Sequence, residues 1–155
     1  MTSNDILRRL RYAFDYHESH LKAIYGRVDY PIEEETIAAW LKNDDDPAYR
    51  VCPDRDLAAF LNGLIIEKRG AKEGPKPVPE DKLNNNIVFK KLRIALNLQS
   101  EEILEILEGQ GVRISKHELS AFFRNPDHKH YRSCKDQVLR NFLTGIHKKY
   151  RPQQS

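Results

Sequence analysis

Long apolar runs are missing from this 155-residue chain. No stretch approaches the roughly 18 to 20 residues of a membrane-spanning helix, which argues against a membrane partner. The opening residues, Met1-Thr2-Ser3-Asn4-Asp5, carry no apolar segment of the kind that directs secretion, so the expected location is the cytoplasm. Cysteine is scarce. The two present, Cys52 and Cys134, are too few for a disulfide framework and read as reduced, buried small residues. The chain also lacks a GxGxxG or Walker-type phosphate loop and an HExxH zinc motif. No segment alternates with the period of two that a half-buried strand requires. These gaps predict an all-α protein without cofactor or bound metal, and not an enzyme.

What is present is a repeat. Residues 4–69 can be laid over residues 86–151 at a constant offset of 82, with no gap. Leu10-Arg11 falls on Leu92-Arg93, Tyr49-Arg50-x-Cys52-x-Asp54 on Tyr131-Arg132-x-Cys134-x-Asp136, and Phe60-Leu61-x-Gly63 on Phe142-Leu143-x-Gly145. One unit was duplicated. A copy of about 66 residues is close to the smallest size that sustains its own core, so the copies are expected to share one. The expected divisions are a first helical repeat over 1–70, a Pro/Gly-rich linker over 71–82 and a second repeat over 83–152.

Each repeat reads as four helices, and the two repeats are expected to pack with pseudo-twofold symmetry. The first helix follows a polar cap at Ser3/Asn4 or Asn85/Asn86, with Ile6, Leu7, Leu10, Ala13 and Phe14 matched by Val88, Phe89, Leu92, Ala95 and Leu96 at helical spacing. The second carries Leu21, Ile24 and Tyr25, matched by Ile103, Ile106 and Leu107. The third has Ile37, Trp40 and Leu41 opposite Leu119, Phe122 and Phe123, the latter opened by the capping box Ser115-Lys116-His117-Glu118. The fourth begins at Asp54 or Asp136 and keeps Gly63 and Gly145 within its apolar stripe. Glycine there costs about 1 kcal/mol relative to alanine, so its retention in both copies predicts a close backbone approach, to the first helix or across the repeat interface.

Asn84-Asn85-Asn86-Ile87-Val88 with Lys91-Leu92-Arg93-Ile94-Ala95, and Pro126-Asp127-His128-Lys129 with Tyr131-Arg132-x-Cys134-x-Asp136-Gln137, resemble the YehS-like family of small bacterial proteins of unknown function. Cys52-Pro53-Asp54 and the run from Phe60 to Gly70 fit the same pattern in the first half. The resemblance spans essentially the whole chain. It implies an all-helical, internally duplicated protein of about this size and carries no activity with it.

The functional candidates come from comparing the copies. Arg11 with Asp54, and Arg93 with Asp136, are expected to pair across the first and fourth helices; the alternative is two equivalent anion sites, Arg11/Arg50 and Arg93/Arg132. His128-x-His130-x3-Cys134 has metal-capable side chains, yet Cys52 persists in the first copy without the histidines, so no metal is assigned. Charge differs between the halves. Residues 1–70 hold ten Lys/Arg against thirteen Asp/Glu, a net of −3, whereas residues 83–155 hold thirteen against seven, a net of +6.

The leading reading is therefore a non-catalytic binding or adaptor module for an unknown protein partner, using a groove between the repeats. The alternative is a nucleic-acid-binding regulator. In that reading the second and third helices of the second repeat form a helix-turn-helix-like element, with Lys116, His117, Ser120 and Arg124 facing bases. Arg93, Lys129, Arg132, Lys148 and Lys149 would hold phosphates.

Overall fold

The computed structural model describes residues 1–151, so residue 152, the expected last position of the second repeat, lies outside it. Among the described residues there are eight α-helices and no strand. They are α1 (Ser3–Phe14), α2 (Glu18–Gly26), α3 (Glu34–Leu41), α4 (Asp54–Arg69), α5 (Asn85–Leu96), α6 (Ser100–Glu108), α7 (Lys116–Phe122) and α8 (Asp136–Tyr150). None is long and apolar enough to cross a membrane.

Local chemistry starts and stops these helices at matching places. The Thr2 side chain accepts the Asp5 N–H while the Asp5 carboxylate takes the Thr2 N–H, a closed capping box. The Asn84 side chain caps α5 by accepting the Ile87 N–H at 2.9 Å. The caps are thus Thr2 and Asn84, and not the Ser3/Asn4 and Asn85/Asn86 pairs that sequence suggests. At their far ends α1 and α5 stop at Asp15 (φ 56°) and Asn97 (φ 53°), two residue types that tolerate the left-handed region. The expected acids of the fourth helix lie in its first turn, behind Pro53 and Lys135, which supply no side-chain cap.

The four long helices pack across the two halves. The most extensive contacts are α1 against α8 and α4 against α5; α1 against α4 and α5 against α8 are slight. α2 covers α4, α6 covers α8, and α3 and α7 pack on α2 and α6. Each first helix therefore buries its apolar stripe mainly on the last helix of the other half. Ile6, Leu7, Leu10 and Ala13 of α1 and Leu139, Phe142, Leu143 and Ile146 of α8 all belong to the one buried cluster. α4 is enclosed on more sides: every residue from Leu57 to Leu64 is buried, including Asn62. A helix apolar all round belongs in a core, not at its rim.

The two helical glycines mark close approaches, though to a neighbour other than the one expected. A methyl group on Gly63 would overlap the Ile24 carbonyl oxygen of α2. One on Gly145 would meet the Ile106 side chain of α6, with the Ile106 carbonyl oxygen 3.2 Å away. The tight crossing is between the fourth and second helices of the same half, and neither α1 nor the interface between halves is involved.

Candidate functional site

The shared Tyr-Arg-x-Cys-x-Asp segment is held by an asparagine from the first helix of its own half. Asn4 Nδ2 donates to Trp40 O at 3.0 Å and Arg50 O at 2.8 Å, and its Oδ1 accepts the Cys52 N–H at 2.9 Å. Asn86 repeats the set with Phe122 O at 3.0 Å, Arg132 O at 2.8 Å and the Cys134 N–H at 2.9 Å. Both asparagines are buried, so each uses its amide to satisfy backbone groups that water cannot reach. The segment is a structural latch. Its cysteines are free and buried, and burial pushes both thiols up to about 12.

The expected arginine–aspartate pairs do not form. Asp54 accepts from Ser3 Oγ at 2.8 Å and Leu83 N at 2.9 Å; Asp136 accepts from the Met1 amino group at 2.8 Å and Asn85 Nδ2 at 2.7 Å. These carboxylates therefore sit beside the starts of α1 and α5. Arg11 and Arg93 lie eight residues further on, about 12 Å along a helix. They instead close the far ends of the same helices, Arg11 Nε donating to Tyr16 O at 3.1 Å and Arg93 Nε to Leu98 O at 3.4 Å. Arg50 and Arg132 contribute backbone carbonyls to the latch, so the paired Arg11/Arg50 and Arg93/Arg132 anion sites gain no geometric support.

The basic candidates of the second half are engaged piecemeal. Lys116 Nζ meets Glu101 at 2.7 Å, which pulls that carboxyl below its ordinary range. Lys149 lies 3.7 Å from Glu102, while Lys148 is exposed. Ser120 Oγ turns back to His117 O at 3.0 Å. Arg132 donates to Tyr131 O at 2.9 Å and Lys129 O at 3.5 Å, and the Arg93 guanidinium lies 4.8 Å from the Phe123 ring centre. Arg124 lines a cleft of about 310 Å³ with Lys90 and Tyr131, its Nε buried without a partner among the described residues. α7 runs only from Lys116 to Phe122, so Arg124, expected to face bases from this helix, lies beyond its end. It follows α6 after the seven residues 109–115, longer than the three- or four-residue turn of a helix-turn-helix. The rings of His117 and His130 are 6.5 Å apart, and those of His128 and His130 5.5 Å. Among the described residues no group of His, Cys, Asp or Glu is arranged to hold a metal.

A concentration of cationic side chains around an open cleft lies elsewhere, between α1 and α8. A cleft of about 540 Å³ is lined by Arg8, Arg9, Arg11, Tyr12, Leu41, Leu143, Thr144 and His147. Arg8 and Arg9 also line an adjoining hollow of about 240 Å³ with Met1, Asp5 and Arg140. Arg8 is already neutralised, by Asp5 at 2.6 Å and more loosely by Asp44 at 3.4 Å. Burial raises the Asp5 carboxyl, but hydrogen bonds from the Thr2 backbone and Arg8 outweigh it and hold the group below its ordinary value. Arg9 is different: among the described residues its guanidinium meets Thr144 Oγ1 at 3.4 Å and no carboxylate. Tyr12, 54% exposed, stacks obliquely on His147 at 4.9 Å and carries the Arg151 guanidinium 4.5 Å from its ring centre.

The offset of 82 places a counterpart cleft between α4 and α5, where Asn62, Ile65 and Ile94 replace Thr144, His147 and Tyr12. That cleft is walled by the linker, from Gly70 to Pro77. Lys91, the counterpart of Arg9, bonds Asn62 Oδ1 at 2.5 Å and lies 3.1 Å from Glu80 Oε1, an ion pair and not a hydrogen bond. None of Arg8, Arg9, Tyr12, Arg140 and His147 stands out in the sequence. The signal was available, since Arg8-Arg9-x-Arg11 aligns with the basic cluster Lys90-Lys91-x-Arg93, but the net negative charge of the first half conceals it.

Comparison with known proteins adds kinship without chemistry. A family model described as a protein of unknown function (DUF1456) matches residues 3–70 and again residues 85–151. The chain is 48% identical over 147 residues to the uncharacterized protein YehS of Escherichia coli (strain K12), covering 94% of either chain. No solved structure matches it significantly.

Proposed function

Since the chain belongs to the family described as a protein of unknown function (DUF1456), we propose a role from its geometry: a non-catalytic binding or adaptor module whose ligand surface is the α1/α8 cleft. The two halves pack with pseudo-twofold symmetry in this reading, which is supported by the reciprocal contacts of α1 with α8 and α5 with α4 and by the matched asparagine latches. The duplication then yields two equivalent clefts, and one observation separates them. The α4/α5 cleft has the linker as a wall and a carboxylate at its lysine; among the described residues the α1/α8 cleft has no such wall and Arg9 no carboxylate.

Two further features support binding over catalysis. The cysteine thiols, the strongest nucleophiles the chain possesses, are buried and held protonated, which withholds the reactive thiolate. Three of the eight residues lining the cleft are arginines, whose planar fork of donors serves recognition better than proton transfer. The nucleic-acid reading keeps its basic residues and a short α7 that carries Lys116, His117 and Ser120, but the seven-residue connection from α6 is longer than the turn of a helix-turn-helix.

The test compares material retained from native cell extract by the immobilised protein and by two variants. Thr144→Trp fills the α1/α8 cleft and Lys72→Trp marks the α4/α5 one. The ligand is expected on the wild type and on Lys72→Trp and to be lost from Thr144→Trp. Retention by Thr144→Trp at wild-type level would place the binding surface elsewhere and overturn the reading.

A further inference from the structure

Resting on the binding-module reading, we propose that the α1/α8 cleft takes an extended acidic peptide segment of a partner protein, with one carboxylate bound by Arg9. The counterpart cleft already holds such an arrangement within the chain. There Pro77 lines the wall beside Ile94 and Ile65, and Glu80, three residues on, reaches Lys91. Three residues of extended chain span about 10 Å, enough to carry the peptide from an apolar seat to a cationic one. The Lys91 side chain is only 14% exposed, so the Glu80 contact is made in a largely desolvated place.

The offset carries both seats into the open cleft. Ile94 becomes Tyr12 and Ile65 becomes His147, a ring pair suited to a proline or aliphatic side chain. Lys91 becomes Arg9, and the polar residue beside it changes from Asn62 to Thr144. Next to Arg9 lies the hollow lined by Arg8, Arg140 and Asp5. A carboxylate placed there meets two arginines that Asp5 does not neutralise, because Asp5 is bonded to Arg8. Arginine in place of lysine permits a bidentate bond to a planar carboxylate. The segment carries an apolar residue, two intervening residues and then an acid, running antiparallel to α1 as the linker runs antiparallel to α5.

The probe is a fluorescein-labelled peptide, Gly-Pro-Glu-Pro-Val-Pro-Glu-Asp-Glu-Leu, which is the 74–83 segment with its lysines made acidic. Fluorescence anisotropy against the full-length protein is expected to report saturable binding. Arg9→Met and the exposed Arg140→Gln should each weaken it about tenfold, the loss of one charge-assisted bond. A peptide with glutamine at every acid should lose at least as much, while Lys116→Gln on α7 changes nothing. Circular dichroism melting verifies that each variant is folded; Arg140→Gln, on the surface of α8, keeps the test decisive if Arg9→Met is not. Absence of binding to the wild type overturns the proposal, as does equal weakening by Lys116→Gln. Arg9-dependent binding of a labelled oligothymidylate in place of the peptide overturns it in favour of a nucleic acid. If the peptide fails while the extract ligand still depends on Thr144, this proposal falls and the binding-module reading stands.

Discussion

At the scale of single residues, the asparagine latch carries more than its sequence suggests. Asn86→Ala leaves two carbonyls and one N–H without partners in the interior, where each orphaned group costs about 1 to 3 kcal/mol. We expect a loss of about 3 kcal/mol or more in urea unfolding, and a comparable loss for Asn4→Ala because its three bonds are the same. A cost below about 1 kcal/mol at either site would mean that water replaces the amide. The cysteines beside the latch give a pH signature. Their ordinary thiol value is 9.0 and burial raises both to about 12 in the folded protein. Between these values the unfolded chain holds fewer protons, so stability should fall as pH rises through that window; below it the thiols contribute no slope. Tyr16 and Tyr30, ordinarily at 10.0, are also raised to about 12 and act in the same direction. Replacing Cys52 and Cys134 with alanine should flatten part of the alkaline slope, measured as unfolding midpoints from pH 8 upward, and an unchanged slope would contradict the buried-thiol account.

At the scale of helices, the sequence shows where apolar faces lie but not which faces meet. The stripes Ile6–Leu7–Leu10–Ala13 and Leu139–Phe142–Leu143–Ile146 are legible from spacing alone, because burial imposes the helical period. That α1 turns to α8 and away from α4 is not, since either partner satisfies the same apolar stripe. The arginine–aspartate pairs fail for a related reason: repetition marks residues that matter without saying how far apart they lie. The glycines show how finely the second-to-fourth helix crossing is set. Alanine at Gly63 would drive a methyl into the backbone oxygen of Ile24, which has nowhere to go. At Gly145 the nearest obstacle is the Ile106 Cγ2 methyl, and the Ile106 carbonyl oxygen stands back at 3.2 Å, so the backbone itself is not overlapped. Overpacking costs about 1 to 3 kcal/mol, against the roughly 1 kcal/mol that alanine returns in helix propensity. Gly63→Ala should therefore destabilise clearly in thermal melts, and Gly145→Ala less. Gly145→Ala should cost less on an Ile106→Ala background, where the Cγ2 methyl that it meets is gone, and the reverse ranking of the two glycines would show that the crossing is not set by backbone contact.

At the scale of the molecule, reciprocal packing makes the halves dependent on each other. Each first helix lies mainly on the other half's last helix, so removing one half exposes both stripes of the remaining one. The charge balance, −3 over residues 1–70 and +6 over 83–155, favours the mixed pairing over either half pairing with itself. The same imbalance obscures the candidate cleft in the sequence, because Arg8, Arg9 and Arg11 belong to the acidic half and face Arg140 and His147 of the basic one. A site built from both halves cannot be read from the net charge of either. Polypeptides 1–74 and 75–155, made separately, should therefore each lack a cooperative monomeric unfolding transition. Mixed, they should form a one-to-one complex with restored helicity and a single transition, weakened by salt because opposite net charges draw them together. Sedimentation with circular dichroism checks this: a stable, monomeric first half on its own would mean that each repeat has a sufficient core, and that the cleft between them is an accident of docking.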